Sequence, residues 1–301
     1  MKKIVFLAGL ALLLAATSCS NESDNVVINH DAEVIDSLVP VHIHVNDFSS
    51  TQEDFPVTRT NAQSPTDYSG AKAMTLAFYN GTTEAYKTTQ VKGNLAEGTT
   101  FGEFNLSLPI GSYTMVVLGY GYFDGDELSL TSPTQAAYTT DHVRETFSAT
   151  QTVNITSSNP VEVSATLQRI VAKLQLTSSD NKIEDAENIR MTFAAGGKSF
   201  DPTTGLATAN TGFSNTVTIS SSTGETSNSA SYLFLDSDEQ TMDVTIETLD
   251  AQGNTIRSKV LNDVPFKRNR ITKLTGLLYT TGISSSFLLD TDWLPDYTGT
   301  F

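Results

Sequence analysis

The strongest constraint on the fold of this chain is a period of two in the positions of its apolar residues. The clearest example occupies every second position from 39 to 45 and consists of Val39, Val41, Ile43 and Val45. Successive side chains of an extended strand point to opposite faces, so this alternation predicts half-buried β-strands. Helical periodicity is scarce, and Gly, Asn and Asp interrupt the alternating segments at short intervals. The pattern is typical of an all-β protein with sandwich-like packing.

Further strands follow from the same criterion. We predict them at residues 73–79, 101–108, 115–120, 161–176, 189–193, 216–220, 231–235, 242–249, 274–279 and 287–293. Asn80-Gly81 is a strong turn signal after the first of these, and residues 115–120 are apolar on both faces, which indicates a central strand. Pro40 lacks an N–H group, so the strand at 39–45 should lie at a sheet edge or begin there. The two sets of strands predict two tandem β-sandwich-like domains, at residues 60–168 and 169–301.

The N-terminal residues have the layout of an export signal. Lys2 and Lys3 precede the short apolar segment 4–16, and small residues then lead into Cys19, the single cysteine of the chain. This layout predicts a lipoprotein signal peptide at residues 1–18 and a lipid on Cys19, with a plain secretory signal as the alternative. The polar, acidic residues 20–24 are similar to an export tag for the outer face of the outer membrane, so we expect a surface-exposed lipoprotein there.

The charge and the reactive side chains narrow the function. With 18 basic and 34 acidic residues the net charge is −16, which disfavours binding to nucleic acid. His42 and His44 project from one strand face without further zinc ligands, so we expect solvated histidines and no metal site. Two acidic turns, at 124–127 and 236–239, lack a complete calcium-loop pattern. We find no catalytic constellation, and therefore predict a protein that is not an enzyme and has no cofactor.

Several segments, in this order, resemble the fimbrillin family, the subunits of type V fimbriae of Bacteroidales. They are the lipidation site at Cys19, the strand 39–45, the polar loop with Arg59, the strand 73–79, the segment 167–174 and the segment 264–274. Residues 169–173 are similar to the family's Arg-x-x-Ala-Lys strand between its domains. Residues 269–274 are similar to its Asn-x-x-Thr-x-Leu strand near the end.

The resemblance implies a transthyretin-like sandwich fold and assembly by donor-strand exchange. An Arg-specific surface protease would cut between Arg59 and Thr60, so that residues 19–59 form a propeptide with a tether and a removable strand. We call residues 39–45 the plug strand, because they would fill a groove until a strand of another fimbrial subunit replaces them. Arg59 as an ordinary loop arginine is the alternative.

The resemblance does not decide which kind of fimbrial subunit the chain is. Phe287, Leu289 and Trp293 share a strand face and are the best candidates for a donated C-terminal strand, although they could equally belong to a permanent strand of the subunit. A tip or anchor subunit is therefore an alternative to a stalk subunit. A surface glycan-binding lipoprotein is a further alternative, with Tyr120, Tyr122 and Phe123 as an aromatic platform or, more simply, as core residues.

Overall fold

The computed structural model describes residues 38–49, 63–122, 128–280 and 288–290, and every regular element in these ranges is a β-strand. The predicted all-β fold class is thereby confirmed. None of these ranges contains a helix of the length and apolar character that crossing a membrane requires.

The described residues of the first half of the chain form nine strands. They are β1 (Val39–Ser49), β2 (Ala73–Asn80), β3 (Thr83–Val91), β4 (Glu103–Leu108), β5 (Gly111–Tyr120), β6 (Leu128–Ser132), β7 (Gln135–Tyr138), β8 (Thr146–Ile155) and β9 (Val161–Arg169). Those of the second half form nine more. They are β10 (Ala172–Ser178), β11 (Asn188–Phe193), β12 (Ser199–Phe200), β13 (Phe213–Thr218), β14 (Asn228–Leu233), β15 (Glu239–Leu249), β16 (Thr255–Lys267), β17 (Ile271–Gly276) and β18 (Leu288–Asp290).

Four sheets result from the pairing of these strands. The largest has seven strands in the order β3-β2-β5-β8-β9-β1-β4. Two sheets of four strands, β14-β10-β17-β18 and β13-β11-β15-β16, belong to the second half of the chain. A small sheet, β12-β7-β6, contains strands from both halves.

The seven-stranded sheet closes on itself around the first hydrophobic core. Its end strands β3 and β4 meet through Gln90, whose amide nitrogen donates to the Glu103 carbonyl at 2.7 Å and whose amide oxygen accepts from the Gly102 N–H at 2.9 Å. Between β8 and β9 the ladder is short, since only Phe147 and Ser148 of β8 pair with β9. The closed sheet packs like a sandwich around the first core, and every one of its strands contributes side chains to that core.

The structure confirms two local predictions. Asn80-Gly81 forms the turn between β2 and β3, where Gly81 has φ +61°, a conformation open to glycine. Strand β5 lies between β2 and β8, with Met115 and Val117 in the first core and Val116 and Leu118 on its opposite face in another core. Burial of both faces explains why this segment is apolar at every position.

A second core lies between the two four-stranded sheets, and a third one joins the halves of the chain. The third core packs Tyr138 of β7 against Phe234, which stacks on Phe200 of β12 at 4.2 Å between ring centroids. The chain passes from the first sheet to the second between Arg169 and Ala172. Because the third core is built from both halves, the division into domains at residues 60–168 and 169–301 stays a prediction.

Candidate functional site

The inward face of β1 is completely buried. Val39, Val41, Ile43 and Val45 are each at most 1 % exposed and lie within the first core. Alternation places them on one face, while Pro40 and His44 on the other face are exposed. The four residues predicted as the plug strand therefore fill a continuous apolar groove.

Strand β1 is internal to the sheet, so of the two predicted positions, a sheet edge or the start of a strand at Pro40, only the start is correct. It runs antiparallel to β4, with Ile43 opposite Phe104, and parallel to β9, with Ile43 opposite Val163. Pro40 is tolerated because the ladder with β9 begins only at Val41. In the described part of the chain β4 pairs with no other strand. Since neighbouring strands lie about 4.8 Å apart, loss of β1 would leave a gap of about 9.6 Å between β9 and β4.

An aromatic residue ends the groove. A register shift between Val45 and Asp47 inserts one extra residue, and this bulge turns Phe48 inward. The Phe48 ring packs against Tyr68 at 5.3 Å and Phe147 at 4.8 Å between centroids. Gly119 of β5 lies beneath the ring, where a Cβ atom would overlap it. The alternating pattern predicts none of this, because the bulge breaks the period of two.

The segment that follows β1 returns to the same place. Phe48 and Gln63 form an antiparallel bridge, in which the Phe48 N–H donates to the Gln63 carbonyl at 3.0 Å. Residues 50–62 thus connect two points that are hydrogen-bonded to each other. Arg59 and Thr60, the predicted cleavage site, lie in this segment and thus outside the described residues. Cys19 also lies outside the described residues.

The polar face of β1 contacts β4 through its two histidines. Nδ1 of His42 lies 2.7 Å from the Asn105 amide oxygen, and its Nε2 lies 3.0 Å from Oε2 of Glu103. His44 contacts the other oxygen of the same carboxylate. Within the described ranges, no group of three or more His, Cys, Asp or Glu side chains is arranged to hold a metal ion. These partly exposed contacts are polar links between strands, of the kind that contributes little to stability.

A nearly buried ion pair lies beside the aromatic end of the groove. Arg169 Nε is 2.7 Å from Oε1 of Glu145, and the two side chains are only 10 % and 14 % exposed. The Arg169 guanidinium also donates to Tyr68 Oη at 3.1 Å and to Asn269 Oδ1 at 3.0 Å, and it lies over the Phe147 ring. Burial and then the Glu145 carboxylate raise the pKa of Tyr68, so its hydroxyl stays protonated and donates to Glu145 at 2.6 Å.

This cluster brings together two segments that resemble separate motifs of the fimbrillin family. Arg169 belongs to the segment 167–174, and Asn269 belongs to the segment 264–274. Asn269 has φ +59° and donates its N–H to the Val171 carbonyl at 2.8 Å. Among non-glycine residues, Asn and Asp are enriched in this conformation. Tyr68 and Glu145 carry no sequence signal that would have predicted their part in the cluster.

The candidate donor residues lie near the other end of the chain. Leu289 belongs to β18, whose backbone pairs antiparallel with β17 opposite Leu274. Phe287 and Trp293 lie outside the described residues. The backbone shortly before β18 is held by the side chain of Asp180. Its carboxylate accepts hydrogen bonds from the N–H groups of Leu278, Tyr279 and Thr280 at 2.7–2.9 Å.

We expect Asp180→Asn to lower the free energy of unfolding by about 2 kcal/mol, since charge-assisted hydrogen bonds are worth about 1.5–3 kcal/mol. Chemical denaturation at neutral pH measures this loss. Glu184→Gln removes the same charge from an exposed position in the same connection, and it should change stability by less than about 0.5 kcal/mol. Equal effects of the two variants would contradict a specific role for Asp180.

The same contacts give this contribution a pH dependence. Burial raises the pKa of Asp180, but the three backbone N–H donors outweigh burial, and the net pKa is below the ordinary value of 3.8. Because the folded-state pKa is the lower one, the stabilisation is complete above pH 3.8 and disappears as the pH falls through the folded-state value. The difference in stability between the native chain and Asp180→Asn should therefore shrink below about pH 4.

The aromatic residues considered for a glycan platform are placed differently from one another. Tyr120 is 4 % exposed and its hydroxyl lies 3.1 Å from that of Thr75, so it belongs to the core. Tyr122 is partly buried against the third core. Phe123 lies outside the described residues.

The acidic turn at 236–239 forms ion pairs with neighbouring basic side chains. Asp238 is paired to Arg268 and Glu239 is paired to Lys267.

Comparison with solved structures relates the fold to proteins of Bacteroidales. A candidate adhesin from Bacteroides ovatus is similar with a TM-score of 0.51 and 12 % identity, over 86 % of this chain and 97 % of that one. A candidate cell adhesion protein from Bacteroides ovatus ATCC 8483 has a TM-score of 0.49 and 14 % identity, over 87 % and 100 %. The fimbrial anchor protein Mfa2 from Porphyromonas gingivalis has a TM-score of 0.47 and 10 % identity, over 84 % and 95 %.

Comparison with curated proteins found no match. A family model does match, over residues 43–300, which include most of β1 and every later strand. Its description is a family of unknown function, DUF6562, and the chain belongs to this family.

Proposed function

We propose that the chain is a structural subunit of a surface fimbria that serves adhesion and is assembled by protease-activated donor-strand exchange. In this proposal β1 fills its groove until the protease cuts after Arg59, and a strand of another fimbrial subunit then replaces β1. The observation that carries the proposal is the position of β1, a fully buried strand between β9 and β4. One cut within residues 50–62 separates it from all later strands.

The energetics support replacement of the strand over simple loss. A buried Val, Ile or Phe side chain contributes about 1.5–3 kcal/mol, and β1 buries five of them. Without β1, β4 would lose its sheet partner and β9 would expose unpaired N–H and C=O groups. A new strand with alternating apolar residues restores both contributions, which is the principle of β-strand addition. The similar fold of the Bacteroides ovatus candidate adhesin agrees with a role in adhesion.

The proposal includes the location and the partners of the subunit. Lipid on Cys19 anchors the precursor at the surface of the outer membrane, where an Arg-specific protease and other fimbrial subunits reach it. A tip or anchor subunit is the second candidate. The pairing of β18 with β17 favours it, because β18 then belongs to the subunit's own sheet and is not itself donated.

Cleavage after Arg59 is the first test. An Arg-specific protease acting on the folded chain should give one stable fragment that begins at Thr60, because loops are cut faster than paired strands. N-terminal sequencing identifies the new end. Arg59→Gln should leave the chain intact under the same conditions, whereas cuts scattered over many arginines would exclude a dedicated processing site.

Lipid attachment is tested independently of assembly. Cells that express the native chain should incorporate labelled fatty acid into it, and the Cys19→Ala chain should incorporate none. The unlipidated chain should also retain residues 1–18, which mass spectrometry detects. Equal labelling of both chains would refute lipidation at Cys19.

A further inference from the structure

The aromatic end of the β1 groove is shaped for a ring. Phe48 is 2 % exposed and its ring packs against Tyr68 and Phe147. Gly119 provides the space below, and Leu167 borders the same space. A smaller side chain at this point would leave a cavity lined by apolar atoms, and such cavities are strongly destabilising.

The bulge fixes the distance between this ring and the rest of the groove. The inward positions of β1 are 39, 41, 43 and 45, and then 48, because Asn46 is the extra residue of the bulge. A strand that enters the groove in the direction of β1 and keeps this bulge therefore carries apolar residues at every second position and an aromatic residue three positions after the last of them. Regular alternation alone would turn the residue at that position toward solvent.

The candidate donor segment of this chain does not have this pattern. If Phe287 takes the place of Val39, Trp293 takes the place of Val45, but Asp296 takes the place of Phe48. A carboxylate among aromatic rings is unfavourable unless it is paired. Shifting the segment until Trp293 replaces Phe48 brings Asp290 to the buried position of Val45, with the same consequence.

We propose that the β1 groove is filled in the assembled fimbria by a strand of a different subunit, whose inward face ends in an aromatic residue with the spacing of Phe48. This inference rests on the proposed strand exchange and adds the chemistry of the incoming strand. Residues 287–296 of a second copy of this chain do not meet this requirement in either of the two registers above. The aromatic residue fixes the register and distinguishes the correct strand from other apolar strands.

Strand competition on the full chain tests the proposal. A recognition sequence for a specific protease is inserted between Pro56 and Val57, the chain is cut there, and the bound strand is exchanged for a fluorescent peptide of residues 38–49. Unlabelled competitors are then compared by fluorescence anisotropy. The native peptide should compete fully. The Phe48→Ala peptide and a peptide that lacks Asn46 should each compete at least about a hundredfold more weakly.

Matched controls separate the ring from general effects on the strand. A His42→Ala peptide changes only the outward face and should compete within about threefold of the native peptide. A peptide of residues 287–296 should not compete. In a cut chain with Gly119→Ala, the native peptide should bind more weakly while the Phe48→Ala peptide is unaffected, so the preference for the ring decreases. A nonspecific loss of folding would weaken both peptides equally.

The possible failures differ from one another. If the native and Phe48→Ala peptides compete within threefold of each other, the aromatic requirement is wrong and strand exchange itself stands. If the peptide of residues 287–296 competes as well as the native one, the requirement for a different subunit is wrong. If even the native peptide fails to bind the cut chain, β1 is a permanent strand and the proposed function is wrong.

Discussion

Ile43→Asp should prevent the uncut chain from forming a stable first core. Ile43 is 0 % exposed and lies between Phe104 of β4 and Val163 of β9. A buried carboxylate without a partner costs several kcal/mol even when it takes up a proton, and the total stability of a domain is only about 5–15 kcal/mol. We expect a loss of at least about 4 kcal/mol in the free energy of unfolding, measured by chemical denaturation.

Two controls define the meaning of this loss. Asn46→Asp introduces the same charge at an exposed position of the same strand, and it should change stability by less than about 0.5 kcal/mol. In a chain cut within residues 50–62, replacement of the Ile43→Asp strand by a peptide of native sequence should restore native stability. An Ile43→Asp chain as stable as the native one would show that β1 does not belong to the first core.

The sequence predicts the buried face of β1 well but its position in the sheet poorly. Alternation identifies Val39, Val41, Ile43 and Val45, because the period of two is a property of the strand itself. The neighbours of β1 are separated from it by long stretches of chain, and alternation carries no information about them. Pro40 indicates an edge or a start, and only the ladder with β9 shows that it marks the start.

Strands with little apolar content are also hard to predict from the sequence. Strand β3 lies at one end of the seven-stranded sheet, and its residues are exposed or partly buried throughout. Strand β16 lies at the end of its own sheet, and apart from Val264 and Phe266 its residues are also exposed or partly buried, with Val260 53 % exposed. End strands bury few side chains, so their segments look like polar loops in the sequence.

The site residues also include some that the sequence identifies and others that it does not. Arg169 and Asn269 lie in segments that the family resemblance identifies, but their contact joins residues that are 100 positions apart. Phe48 lies outside the alternating pattern because of the bulge, and Gly119 is one glycine among many. Residues whose role depends on long-range packing leave no local signal, and for this reason the aromatic end of the groove emerges only from the structure.

Arg169→Met should be strongly destabilising although it lies outside the groove. It leaves the Glu145 carboxylate nearly buried without its cation, and it removes the donor that Tyr68 and Asn269 share. Breaking a buried ion pair by removing one partner costs about 3–5 kcal/mol. We expect a loss of this size in the free energy of unfolding, measured by the midpoint of denaturation.

The second partner shows whether the loss comes from the uncompensated charge. A chain with both Arg169→Met and Glu145→Gln should recover a substantial part of the stability, because the buried carboxylate is then absent. Arg190→Met breaks the more exposed pair with Glu247, where the arginine is 33 % exposed, and should cost less than about 1 kcal/mol. If Arg169→Met costs no more than Arg190→Met, the Arg169 side chain does not hold β9 to the segment after β16.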